Sequence, residues 1–134
     1  MHYFHDTTSH PVRLVLVLIV SAGLMLAGAS GTGIAVEPSP EALMQQGLQA
    51  YQRGSFDQAQ ADWKQAAEFY KNEGKTKNQI QALILAAQAA QALGQSKQAL
   101  LQLDLALVLS HNNRDPLVTA EVLAQLGRTY LALR

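Results

Sequence analysis

No cysteine occurs anywhere in the 134 residues of the chain. That absence excludes disulfides, thiolate metal sites, a cysteine nucleophile and the lipid-bearing cysteine of a bacterial lipoprotein. Aromatic residues make up only 6% of the chain and charged residues 15%, so no aromatic and basic strip for stacking bases is present. The ten basic and ten acidic side chains cancel without forming a block of either sign. This removes the electrostatic footprint that nucleic acid or an anionic lipid surface would need. No Gly-rich phosphate loop and no Ser-His-Asp arrangement appears either. What is present is an apolar half rich in Ala and Leu and interspersed with Gln, all good helix formers. The expectation is one all-α domain.

The first residues differ from the rest. MHYFHDTTSHPVR is a polar leader whose only fixed positive charge is Arg13. After it, Leu14 to Ala27 form a 14-residue apolar run, the length a signal-peptide core requires. Ala27 with Ala29 makes an A-x-A cleavage site and Gly33 with Ala35 a second, so cleavage is expected after Ala29 or Ala35. An uncleaved anchor is the alternative, because no charge interrupts Leu14 to Val36 and ~20 apolar residues span a bilayer. A membrane association is expected only if this segment is retained. Residues 1–36 thus read as a signal peptide or membrane anchor. Residues 37–134 read as a folded domain that is periplasmic, extracellular or held at the outer side of the cytoplasmic membrane.

Laid on itself with a shift of forty residues, the second part of the chain repeats. EALMQQGLQAYQRG (Glu41 to Gly54) falls on QALILAAQAAQALG (Gln81 to Gly94) and then on EVLAQLGRTYLALR (Glu121 to Arg134). Leu43, Leu83 and Leu123 coincide. Gly47, Ala87 and Gly127 align as small residues where two helices approach closely, with Ala50, Ala90 and Tyr130 one turn later. In the following helix, Ala59 matches Ala99, Trp63 matches Leu103 and Ala66 matches Ala106.

Each unit reads as helix, tight turn, helix. Ser39, Pro40 and Glu41 supply an N-cap, a first-turn proline and an acid at the positive helix end. Gly54 ends that helix, and Ser55 with Gln58 has the capping-box pattern. Gly74 stops the second helix, and Thr76 with Gln79 is expected to open the third in the same way. Gly94 and Ser96 mark the next turn; Asp115 and Pro116, after the polar loop HNNR, open the last helix. Five helices are expected, near Ser39 to Arg53, Ser55 to Glu73, Lys77 to Leu93, Ser96 to Ser110 and Pro116 to Leu133.

These residues resemble the tetratricopeptide repeat family. GLQAYQRGSFDQA is similar to its Gly, aromatic, Gly, aromatic, Ala pattern, and Leu126, Gly127 and Tyr130 match its Leu-Gly-x-x-Tyr signature. The resemblance covers Glu37 to Arg134; the middle unit departs from it, with Ala87 in place of the Gly and Ser96 in place of the aromatic after the turn. It implies an antiparallel helix-pair solenoid of about two and a half repeats. The usual period is 34 residues, so the six extra are placed in the second helix and its exit loop, EFYKNEGKTKN. HEAT-type repeats also run near forty residues but lack this small-residue pattern. Forty-residue units behind an export signal are also similar to the N-terminal arrays of secreted bacterial proteins that continue into a caspase-like CHAT domain. The His and Cys dyad of that domain has no counterpart here.

The remaining candidates are few. His2, His5 and His10 lie in the leader and His111 stands alone in a loop, so no metal site and no cofactor is expected. Asp57 with Asp62, and Glu68 with Glu73, stand five residues apart, off a common helical face, and read as solvated surface. Trp63 reads as a core side chain, and the Gln-rich stretch from Gln88 to Gln102 as a solvated helix face. The resemblance implies a concave groove on the first helices of each unit. Carried over by alignment, its lining is Met44, Leu48, Tyr51 and Gln52, then Ile84, Gln88 and Gln91, then Gln125, Arg128 and Leu131. The family's clamp for a peptide carboxylate needs several Lys, Arg and Asn residues, and Arg128 alone is present. A groove of apolar and amide side chains suits a neutral helix or extended segment.

In the last helix, Leu117, Val118, Leu123, Leu126, Tyr130 and Leu133 recur at helical spacing. Arg134 occupies the position at which Gly54 and Gly94 begin a turn to a partner helix. Repeat arrays normally end on a polar outer face. An open end formed by Leu123, Leu126 and Tyr130 is therefore expected, to be completed by more chain, by another protein or by self-association. The function expected is an extracytoplasmic, non-enzymatic scaffold that binds protein or peptide segments and no nucleic acid. The alternative is a truncated regulatory N-terminal part of a CHAT-type peptidase protein. Export has a direct test: N-terminal sequencing of protein recovered from cells is expected to start at Ser30 or Val36, whereas an intact Met1 in a soluble cytoplasmic fraction contradicts it.

Overall fold

The computed structural model describes residues 33 and 35–134; the expected signal core and Ala29 lie outside them, and Ala35 is exposed. Pro38–Arg134 form one compact unit of five helices: α1 (Pro40–Gln52), α2 (Phe56–Asn72), α3 (Thr76–Ala92), α4 (Ser96–Asn112) and α5 (Pro116–Ala132). Each helix packs on the next along the chain, and α3 also touches α5. The architecture is all-α and solenoidal, as the repeat implies.

Three residues separate every helix from its successor, and one turn geometry serves all four junctions. The middle residue is left-handed, with φ of 79° at Gly54, 70° at Gly74, 72° at Gly94 and 53° at Arg114. At the first turn the Gly54 N–H donates to the Tyr51 carbonyl at 3.0 Å and the Ser55 N–H to the Ala50 carbonyl at 2.9 Å. That pair of bonds is the Schellman motif, which satisfies the orphan carbonyls of a helix end. It recurs with Gly74 and Lys75, Gly94 and Gln95, and Arg114 and Asp115. The residue that closes one helix is therefore also the residue that precedes the next.

This double duty explains where the expected caps fail. Ser39 and Asp115 cap as expected, accepting from the Ala42 and Val118 backbone N–H groups at 3.1 and 3.2 Å. Ser55 makes no side-chain cap bond, and α3 starts at Thr76 behind Lys75, so Thr76 is no cap. At Ser55, Lys75 and Gln95 the closing motif holds ψ at 68°, 72° and 58°, away from the extended region that an N-cap side chain needs. The expected longer exit loop is also replaced: Glu73, Gly74 and Lys75 make the same short turn, and α2 to α5 are each 17 residues long. The length beyond the usual period is helix. For the same reason His111 lies in the last turn of α4, not in a loop.

One core runs through all five helices, with Leu43, Tyr70, Ile80, Leu103 and Val122 among its members; a second cluster joins Ala50, Ala59, Trp63, Ala86 and Ala89. Helix α3 contributes Ala82, Ala86, Ala87, Ala89 and Ala90, none more than 1% exposed. The largest buried side chains are Trp63 of α2, Leu103 of α4 and Ile80 and Ile84 of α3 itself, each at most 1% exposed.

Arg114 carries the left-handed conformation with a Cβ, which costs an L-residue roughly 1–2 kcal/mol. Arg114→Gly is expected to stabilise the domain by about 1 kcal/mol after the extra flexibility of unfolded glycine is offset. In thermal unfolding that is a rise of roughly 4–8 °C for a domain of this size. A melting temperature at or below the parent's contradicts the reading of the turn.

Candidate functional site

The first helices of each unit, α1, α3 and α5, lie alongside one another and are tied by polar contacts at their N-terminal ends. Lys75, the residue before α3, pairs with Glu41 of α1 at 3.8 Å and with Glu73 at 2.7 Å. Lys77 of α3 pairs with Asp115, the cap of α5, at 3.2 Å. The hydrogen bond and charge of Glu73 raise the pKa of Lys75 above its ordinary value. The Val118 backbone N–H, then Lys77, hold the Asp115 carboxyl below its ordinary value. Further along, the Gln91 side-chain amide donates to the Thr129 hydroxyl, which in turn donates to the Gln125 carbonyl at 2.8 Å. Thr129 is fully buried; its partner was hidden in the sequence because only the folded array brings α3 and α5 together.

The expected groove lining divides. Leu48, Gln52, Arg128 and Leu131 are exposed and Gln88 and Gln91 half-buried, on α1, α3 and α5. Ile84 and Gln125 are corrected: they are 0% and 6% exposed and line no open groove. Ile84 belongs to the core because α3 is covered on two sides. Met44 and Tyr51 are half-buried, and both serve packing. The Met44 carbonyl accepts from the Trp63 indole N–H at 3.1 Å. The Tyr51 ring lies edge-on to Phe56 at 5.0 Å, an arrangement that favours aromatic pairs, and tilted against Trp63 at 5.6 Å.

The open end also divides. Leu126 is 7% exposed and joins the main core, so it belongs to the face of α5 that meets α4 and is removed from the open-end set. Leu123 and Tyr130 are 51% and 55% exposed. Beside the start of this face, a cleft of about 500 Å3 is lined by Ser110, His111, Asp115, Thr119 and Leu123, among others.

A second cleft, of about 370 Å3, lies between α2 and α4, with Leu83, Leu101, Leu105 and Gln102 in its lining. Gln102 is 7% exposed and neither atom of its amide has a hydrogen-bond partner. One unit earlier, the same position holds Asp62, which accepts from the Gln58 amide at 2.7 Å. Asp62 is 7% exposed, which corrects its expected place on the solvated surface. Among the described residues, no three His, Asp or Glu side chains gather as a metal site would require, and no helix is long and apolar enough to cross a membrane. No protein-family profile, curated protein or solved structure matches the chain.

Two glycines forty residues apart test the geometry of α1 and α5. A Cβ built on Gly47 would stand 2.5 Å from the Trp63 indole nitrogen, whereas one built on Gly127 would meet nothing within 4 Å. Gly47→Ala is expected to cost about 1–3 kcal/mol through overpacking. Gly127→Ala is expected to stabilise by about 0.8–1.0 kcal/mol, the helix propensity difference. Urea denaturation of both variants checks the pair, and equal signs contradict it.

Proposed function

We propose that residues 37–134 act outside the cytoplasm as a non-enzymatic scaffold of the tetratricopeptide type, which holds a protein segment along α1, α3 and α5. The observation that carries this reading is that Leu48, Arg128 and Leu131 are exposed and Gln88 and Gln91 half-buried, at matching repeat positions of helices that pack on α2 and α4. Amide side chains each offer a donor and an acceptor to a peptide backbone, and the leucines offer area to its apolar side chains. Rigid helices hold such side chains in place at little entropic cost on binding. The single cation favours a segment that is neutral or carries little negative charge.

The reading is tested by placing a photo-crosslinking residue at Leu48, Gln88 or Arg128 of the full chain in cells, with Lys97 and Asp104 on α4 as comparison positions. A discrete protein adduct from the first three positions and none from α4 is the expected result. Equal labelling from both helix sets, or none from either, contradicts it.

A further inference from the structure

The cleft between α2 and α4 lies inside the array, with Leu83 of α3 in its lining beside Leu101, Gln102 and Leu105 of α4. One unit earlier, those three α4 positions are occupied by Ala61, Asp62 and Gln65 of α2. In α2 the buried polar side chain is satisfied, since the Gln58 amide donates to the Asp62 carboxylate at 2.7 Å. In α4 it is not. Gln98 stands where Gln58 stands and also lines the cleft, yet both polar atoms of the Gln102 side chain are buried without a partner. A buried donor and acceptor left unpaired cost stability, and such groups are few in native proteins. The two flanking changes run the same way. Leu101 and Leu105 are 67% and 45% exposed, so burial in the core does not account for leucine at either position.

Together these features make a cleft with apolar walls and one buried group that both donates and accepts. Its volume of about 370 Å3 falls in the range of small-molecule sites, which combine an apolar lining with a few polar groups. The charged side chains in the lining are Lys64 and Glu68, one of each sign, which favours an occupant without net charge. A carboxamide offers N–H donors and a carbonyl acceptor side by side, and the group that matches both carries an N–H and a C=O on one edge. We infer that the cleft binds a small neutral molecule with an apolar body and a cis-amide edge, of the lactam or carboxamide class, through the Gln102 side chain. The ligand N–H donates to Gln102 Oε1 and its carbonyl accepts from Nε2, while Ala67, Leu83, Leu101 and Leu105 contact the apolar body. The last torsion of a glutamine is broad, so the amide turns toward a ligand without rearranging the helix. A peptide segment brings a donor and an acceptor with every residue, whereas one buried amide satisfies a single such pair. A small molecule brings no more than that pair. The site is independent of the proposed segment-binding residues on α1, α3 and α5.

The probe is 4-phenylpyrrolidin-2-one, with its N-methyl derivative as the comparison ligand that keeps the carbonyl and loses the N–H. Each is titrated into the isotope-labelled full chain and followed through the side-chain amide resonances. Saturable binding of the lactam in the millimolar range or tighter is expected for a ligand of this size, with the Gln102 signal shifting. N-methylation is expected to abolish saturation over the same concentrations. So is Gln102→Met, which keeps the length of the side chain and removes both hydrogen-bonding groups. Gln102→Met is also expected to leave the melting temperature equal or higher, because no unpaired amide then remains buried. Leu101→Asp, at an exposed position, is expected to cause the same loss of binding, and Leu48→Asp on α1 none. Absence of saturable binding, equal binding of the N-methyl derivative, binding that survives Gln102→Met, or loss with Leu48→Asp overturns the inference. So does a melting temperature lowered by Gln102→Met, or a Gln102 signal that Gln98→Ala moves and the lactam does not, since the amide would then have its partner within the chain.

Discussion

A three-residue turn with a left-handed middle residue is the constraint on which the rest of the structure depends. It occurs at Gly54, Gly74, Gly94 and Arg114, at intervals of twenty residues, and each time it closes one helix and begins the next. Because the turn is short and invariant, the phase of each helix relative to the previous one is fixed. Equivalent positions of α2, α3 and α4 are therefore buried alike, with Trp63, Leu83 and Leu103 at one register and Ala66, Ala86 and Ala106 at another; in α5 the second register stays buried at Leu126 while the first, Leu123, is exposed. Three of the four junctions use glycine, which adopts this conformation without the penalty a Cβ brings.

Given that phase, side-chain size decides the packing. Helix α3, covered on two sides, buries five alanines beside Ile80, Leu83 and Ile84, and its neighbours add Trp63 and Tyr70 on α2 and Leu103 on α4. The arrangement interleaves small side chains with large ones. It also makes stability a sum over adjacent pairs, so the end helices are held by fewer contacts than the middle ones. Among the described residues, α1 exposes the amides of Gln46 and Gln49, and α5 exposes Leu123 and Tyr130.

Much of this was legible in the sequence. The forty-residue self-alignment carried the helix number, and its small residue at Gly47 marked a close approach that Trp63 makes; the same expectation at Gly127 fails, since a Cβ there meets nothing within 4 Å. The finer period of twenty was equally present, in Gly54, Gly74 and Gly94, and would have placed every turn and removed the expected long exit loop. The caps at Ser55 and Thr76 were misread because a local capping pattern was overridden by the closing motif of the preceding helix. Ile84 and Gln125 lie off the expected groove because a family alignment carries over a helix position but not how deeply its neighbours cover it, and Leu126 lies off the open end because apolar spacing along one helix does not say which of its faces meets α4. The unpaired amide of Gln102 and the Gln91 to Thr129 bond depend on side chains from different helices, and no single-helix pattern contains them.

The central claim is that α3 is braced on two faces and α5 on one. Native-state hydrogen exchange on the monomeric chain tests it directly, since it measures the opening free energy of each helix separately. The account predicts the slowest exchange in the middle of α3 and distinctly faster exchange across Leu123 to Tyr130. Protection of α5 equal to that of α3, at a concentration where the chain is monomeric, would contradict it.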